Sequence, residues 1–395
     1  MKKSIYALAF GAFGIINTEF GVIGILPTIA KVFNISVDTA GWLLGGFALT
    51  VAFSSPIITA ITTKINRKLL LCLVLGMFIV SNLLSAFSPN FTILMIARII
   101  PAIFHPLFWN ISLAIAFKEN GSKGVSTVMA GLSIATVLGV PLTTYAAEFF
   151  NNWQASFFLS SVISLIAFLS LLFLVPSIPG NSEKATKSQF HVLKDAQLWL
   201  NLISTVLTLA AMFSSYSYLA AYLEKITKMN GTEISIMLLL FGIAGIFGNW
   251  ITGIALGKKL IQTSRLFYVL LISVQLLAYY FGDFFIPMVI ILSFWGLIHT
   301  GGFLVPNLRT TQSVPKDTLE FVNSLLTSCY NIGISLGAFL GGFIIAQYGI
   351  HFVVWMSIGL LAITLGISFI TFTKKEKINS QVNQKNIEET EVACV

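Results

Sequence analysis

Hydropathy divides the chain into twelve apolar segments, at about 5–30, 41–63, 69–88, 91–117, 125–149, 154–176, 197–223, 233–256, 265–281, 285–308, 320–347 and 350–373. Each has about the 17–25 residues that a bilayer-spanning helix needs, or slightly more with tilt. The longest polar interruption, "PSIPGNSEKATKSQFHVLKDAQ" (176–197), separates six segments from six. The second segment ends in "TTKINRK" (62–68), and its counterpart in the later half ends in "GIALGKK" (253–259). An offset near half the chain length predicts a parallel repeat. The pattern therefore predicts an all-α integral membrane protein of two pseudo-symmetric six-helix bundles, 1–176 and 197–373, joined by a linker at 177–196. The polar tail, 374–395, is expected to be disordered.

Composition agrees with lipid as the solvent. The chain is 56% hydrophobic and 10% charged, with a mean hydropathy of +0.89. A soluble domain carries about 25% charged residues, so these are too few to cover a water-facing surface. No cleavable signal peptide is expected, because the first segment carries Glu19 and lacks a small-residue cleavage site.

The net charge of +8 invites a nucleic-acid reading, but its distribution argues for topology instead. With alternate loops on opposite sides, 19 of the 23 basic residues, Arg309 among them, fall on one side. Only Lys31, Lys225 and Lys228 fall on the other, and Arg98 lies within a span. The positive-inside rule then puts both termini in the cytoplasm. Cys72, Cys329 and Cys394 are scattered and odd in number, which gives neither a disulfide framework nor metal-ligand spacing.

Polar residues inside the spans carry the candidate chemistry. "ARIIPAIFHPLFWNISLAIAF" (97–117) holds Arg98, His105 and two prolines. A charge at the centre of a spanning helix costs about 2.5–3.5 kcal/mol on insertion scales. At 100° per residue, Arg98, His105, Trp109 and Ser112 share one helical face, which is expected to turn away from lipid. Glu19 is the matching charge. It lies about 21 Å above the inner boundary at 1.5 Å per residue, and Arg98 about 10 Å below the outer one, nearly the same depth of a core about 30 Å thick. A pair is far less costly than two isolated charges, so the two are expected within reach of each other.

Later spans supply polar aromatics: Ser214, Tyr216 and Tyr218 in the seventh, Trp295 and His299 one turn apart in the tenth. Such rings offer stacking faces with a hydrogen-bonding tip, suited to a small polar ligand. As single stripes they equally suit interhelical packing. So does the glycine stripe Gly333, Gly337 and Gly341 of the eleventh span. Phosphate-loop and metal motifs are missing, so neither an enzyme nor a cofactor is expected, and ATP is not the expected energy source. Ion coupling is the economical alternative.

The six-plus-six pattern, with "NTEF" (17–20), "SPNFTILMIAR" (88–98), "HPLFWNISLAIA" (105–116), "VLGVPL" (137–142), "YSYL" (216–219), "FGIAGIFGN" (241–249), "FWG" (294–296) and "YNIGISLGA" (330–338), resembles the major facilitator superfamily over essentially the whole chain to about residue 373. Within it, the chain resembles the bacterial drug/proton antiporter branch that includes sugar efflux, purine efflux and chloramphenicol-type exporters. The resemblance implies a central cavity lined by the first, fourth, seventh and tenth spans and opened alternately to either side. Arg98 matches the fourth-span arginine linked there to proton coupling, and Gly131, Gly139 and Pro141 match part of the fifth-span antiporter motif. The loop after the second span departs from the family pattern. Thr59, Thr63 and Asn66 replace two glycines and an aspartate, while Lys64, Arg67 and Lys68 remain. Thr143 and Ala147 replace later glycines of the antiporter motif.

The expected function is proton-coupled export of a small polar metabolite or drug, such as a sugar, nucleoside or amphenicol, across a bacterial cytoplasmic membrane by a monomer. Glu19 and Arg98 are the proton-coupling pair. Burial favours a neutral carboxyl and a neighbouring guanidinium a charged one, and a carrier must visit both states. Asn17, His105, Trp109, Ser214, Tyr216, Tyr218, Trp295 and His299 are candidate substrate contacts, and Lys64, Arg67, Gly139 and Pro141 candidate gating residues. The alternatives are export of an amino-acid-derived metal chelator, proton-coupled import, and a non-transporting receptor or scaffold.

Overall fold

The computed structural model describes residues 3–62, 64–179, 192–315 and 318–370. Most of the linker, Thr63 and the tail at 374–395 lie outside the described residues. Among the described residues every regular element is helical. Twelve helical spans are long and apolar enough to cross a membrane: Lys3–Val32, Val37–Ser55, Arg67–Ala86, Phe91–Gly121, Lys123–Phe149, Gln154–Leu174, Ala196–Lys225, Gly231–Lys258, Leu260–Phe281, Phe285–Ser313, Phe321–Tyr348 and Ile350–Ile370. They alternate in direction. One face, here the near face, carries Lys3 and the loops at 64–66 and 175–179. The far face carries the loops at 33–36, 87–90, 150–153 and 226–230.

The ends of the spans follow from their sequence. Ser36, Asn66, Asn90, Asp195 and Asn230 each accept a hydrogen bond from a first-turn amide of the following helix, which satisfies one of its orphan donors. Asn66, one of the departures in the second-span loop, therefore has a structural task as the cap of the third span. One boundary needs correction. Arg309 does not lie in a loop; the helix Gly301–Ser313 carries it inward, and it is 5% exposed. Thr310 and Thr311 donate their hydroxyls to the carbonyls of Pro306 and Asn307, so these polar side chains are satisfied within the helix, which runs on to Ser313.

Contacts joining residues 3–174 to residues 196–370 gather in the far half. There Trp42 packs on Phe339, Phe20 stacks on Phe213 at 5.7 Å, and Lys31 pairs with Glu224. Glycines set how closely the backbones approach. Pro141 lacks the amide that would bind the Val137 carbonyl. A Cβ at Gly242 would lie 2.7 Å from that oxygen, so the fifth and eighth spans meet backbone to backbone. The face of Val137 continues through Ser133 and Ala130 toward the near face, and that of Gly242 through Asn249. All three are exposed. The same holds between the second and eleventh spans. Gly45 sits against Ala338, while Thr327 and Ser324, on the Ala338 face, are exposed. Exposed Ser, Thr and Asn on the seam faces mark a polar opening, not lipid contact. The molecule is closed at the far face and parted at the near face.

Candidate functional site

The first span is not one helix. Lys3–Phe20 ends at a 3-10 turn, Gly21–Ile25, and Leu26–Val32 resumes with Pro27 in its first turn. The turn forms where glycines let the fifth span crowd in. A Cβ at Gly21 would lie 2.8 Å from Thr143 Cγ2, and the Thr143 hydroxyl donates to the Gly21 carbonyl at 2.8 Å. Breaking a helix inside a membrane strands carbonyls, which must find donors. Arg98 supplies them. Its Nη2 donates to the carbonyls of Thr18 and Glu19, both at 3.1 Å, and its Nε to Leu43 at 3.4 Å. The guanidinium also stands 5.6 Å from the centre of the Phe47 ring. A cation at a helix C-terminus is favoured by the dipole as well as by these bonds.

Arg98 and Glu19 thus meet through the glutamate's backbone. The carboxylate takes a different partner from the one expected: Glu19 Oε2 lies 3.3 Å from His105 Nε2. Trp109 Nε1 donates to the same nitrogen at 3.2 Å. His105 is wedged against Phe47 and Phe78, with ring centres at 5.7 and 6.4 Å. Glu19 and His105 are 3% and 5% exposed, and Trp109 is half-buried. Asn17, two residues before Glu19, donates to Ser160 at 3.0 Å, and its carbonyl oxygen has no partner. Gly139 makes room for it, since a Cβ there would meet Asn17 Oδ1 at 3.2 Å.

The later half repeats the break. Ala196–Tyr216 and Leu219–Lys225 are separated at Ser217 and Tyr218, and Phe285–His299 is separated from Gly301–Ser313 at Thr300. Interrupted helices at matching places in two halves point to a binding site near the midplane. Tyr216 and His299 stand at those breaks. Their rings are 4.8 Å apart, and Phe241 lies 5.2 Å from each, stacked on Tyr216. Trp295 closes the cluster on Phe241 at 6.0 Å. Trp295 Nε1 and His299 Nδ1 are buried without a partner.

Two expected contacts are elsewhere. Tyr218 donates to the Ala338 carbonyl at 2.7 Å and packs on Gly41 at the seam between second and eleventh spans. Ser214 donates to Ala211, and its backbone meets Gly341 and Gly337, so this glycine stripe serves packing against the seventh span. Of the candidate gating residues, Gly139 and Pro141 lie where the fifth span meets the first and the eighth. Lys64 is exposed, and the Arg67 amide ties its loop to Ile178 at 2.8 Å. Phe20, Phe213 and Phe241 were not legible as site residues. Apolar rings in an apolar span carry no mark; the glycines of "EFGVIG" are the signal that could have located the break itself.

The sequence profile of the Major Facilitator Superfamily matches residues 8–311. The chain belongs to that superfamily. An inner membrane transport protein of Escherichia coli, YdhP, is 29% identical over 376 residues, covering 94% of this chain and 96% of its own. A probable sugar efflux transporter of Helicobacter pylori is 26% identical over 378 residues, with the same coverage of each. The fold is that of a bacterial homologue of the human lysosomal transporter Spinster, with a TM-score of 0.76 at 14% identity over 93% of this chain and 96% of that one. The chain is thus a multi-pass secondary transporter of the major facilitator type, one that moves small molecules by alternating access.

Proposed function

We propose that this major facilitator protein exports a small uncharged solute from the bacterial cytoplasm in exchange for protons. Two six-helix bundles, 1–176 and 197–373, rock about the midplane, both termini are cytoplasmic, and the near-face opening then faces inward. The observation that carries the reading is the Glu19–His105 pair, a buried acid on a buried base. Such a pair can take up one proton and become neutral, which removes the cost of holding a bare carboxylate in the membrane. Tyr216, Phe241, Trp295 and His299 offer ring faces and two unused polar nitrogens with no carboxylate or ammonium among them, which suits a neutral solute with hydrogen-bonding groups. The name of the Helicobacter relative agrees with efflux of such a solute. Phe20, next to Glu19, stacks on Phe213, which touches Tyr216 and His299 at 5.7 and 6.2 Å, so the proton site and the aromatic cluster share a packed connection.

The test is transport in reconstituted vesicles, with the substrate first found by comparing metabolites released by a deletion strain and its parent. Glu19→Gln is expected to abolish accumulation driven by a pH gradient while substrate–substrate exchange continues, because exchange moves no net proton. Accumulation by Glu19→Gln under a pH gradient alone would remove Glu19 as the carrier.

A further inference from the structure

His105 Nε2 has two neighbours that ask opposite things of it. The Trp109 indole is a donor only, so at 3.2 Å it needs a lone pair on that nitrogen. The Glu19 carboxylate is an acceptor only, so at 3.3 Å it needs a hydrogen there. An imidazole nitrogen carries one or the other. A protonated Glu19 does not remove the conflict, because its O–H competes with Trp109 for the same lone pair. The other ring nitrogen, Nδ1, has no partner and takes no share. Glu19 on the first span meets the ring and Arg98, on the ring's own span, reaches the Glu19 carbonyl, while the second and third spans present Phe47 and Phe78. The fourth span runs from the far to the near face, so Trp109 stands one turn closer to the opening than His105. Its chain neighbour Asn110 is exposed.

We propose that His105 shares the transported proton with Glu19, and that Trp109, displaced from His105 Nε2 when the proton is present, reports its presence to the near-face cavity. The idea rests on the proton-coupled reading above and adds a switch to it. Without the proton, Glu19 is a carboxylate and His105 is neutral with its hydrogen on Nδ1. Nε2 then accepts from Trp109, and Arg98, already on the Glu19 carbonyl, is the cation available to the carboxylate. One proton from water then enters between Oε2 and Nε2, bonded to one and hydrogen-bonded to the other. The Trp109 N–H loses its acceptor and turns to the cavity, where a solute's acceptor can meet it. Release of that proton restores the first arrangement.

Indole-nitrogen-labelled protein in lipid nanodiscs tests this, with the Trp109 resonance assigned by its loss in Trp109→Phe. The Trp109 N–H signal is expected to move as a single-proton titration when pH is varied. In Glu19→Gln the midpoint is expected to shift by about tenfold or more in proton concentration, one unit being 1.36 kcal/mol of differential interaction. In His105→Gln the signal stays fixed, because the amide oxygen accepts from Trp109 and does not titrate. A Trp109 signal that ignores pH in the native chain, or one that still titrates in His105→Gln, overturns the proposal. If His105→Gln fails to fold, Trp109→Phe decides by transport: at least tenfold loss of pH-driven accumulation with exchange retained supports the switch, and unchanged accumulation overturns it. The titration needs no transport. A titrating Trp109 in a chain without pH-driven transport would sink the exporter reading and leave the switch standing, and the converse result would do the reverse.

Discussion

Adding one methyl group at Gly242 should open the far face. A Cβ there would lie 2.7 Å from both Cα and O of Val137, and 3.0 Å from its Cγ1. The first two are backbone atoms and cannot rotate away. To reach ordinary contact, the fifth and eighth spans would have to separate by roughly 0.7 Å, against close-packed neighbours. Overpacking of this kind costs about 1–3 kcal/mol. The seam exists only while the far face is closed, so the cost falls on that state alone. The equilibrium should then move toward the far-open state by about 5- to 150-fold. Spin labels at Asn152 and Asp283, exposed far-face positions in different halves, would report this by pulsed electron resonance as growth of a longer-distance component in Gly242→Ala. Gly76→Ala is the control. A Cβ there meets nothing within 4 Å, so only the helix-propensity gain of about 0.5–1 kcal/mol applies, and the distances should not change. An unchanged distribution in a folded Gly242→Ala protein would refute the reasoning, because the seam would then tolerate the group that its geometry excludes.

Two further outcomes follow from the same structure. In a background without native cysteines, an impermeant thiol reagent on intact cells should label Asn152→Cys and spare Lys64→Cys, both exposed positions; the reverse pattern would invert the topology. Tyr216→Ala, Trp295→Ala and His299→Ala should each weaken substrate binding measured on purified protein by about tenfold or more, whereas Tyr218→Phe removes only its bond to Ala338, worth about 0.5–1.5 kcal/mol, and should leave affinity within about twofold. Equal loss from Tyr218→Phe would place it in the site after all.

Hydropathy alone determined the twelve helical spans and the membrane as solvent, because lipid offers no hydrogen-bonding partner and leaves helices as the only open-chain solution. Helical spacing also put Arg98, His105 and Trp109 on one face, and depth arithmetic brought Glu19 level with Arg98. It did not say which of them would touch. That depended on where the first span breaks, and the break depends on Thr143 of the fifth span closing on Gly21, a contact across more than a hundred residues. Once the break strands the carbonyls of Thr18 and Glu19, Arg98 is committed to them, and the Glu19 carboxylate is left for His105. Tyr216 and Tyr218 show the same limit. Two residues apart in one span, they read alike in sequence, but the break at Ser217 sends one to the aromatic cluster and the other to the gate seam. Arg309 looked like a loop residue by charge, but its helix runs on to Ser313 and holds it buried instead. Periodicity fixes which face a side chain occupies. The partner on that face is decided by how neighbouring helices pack, and small residues far apart in the chain decide that packing.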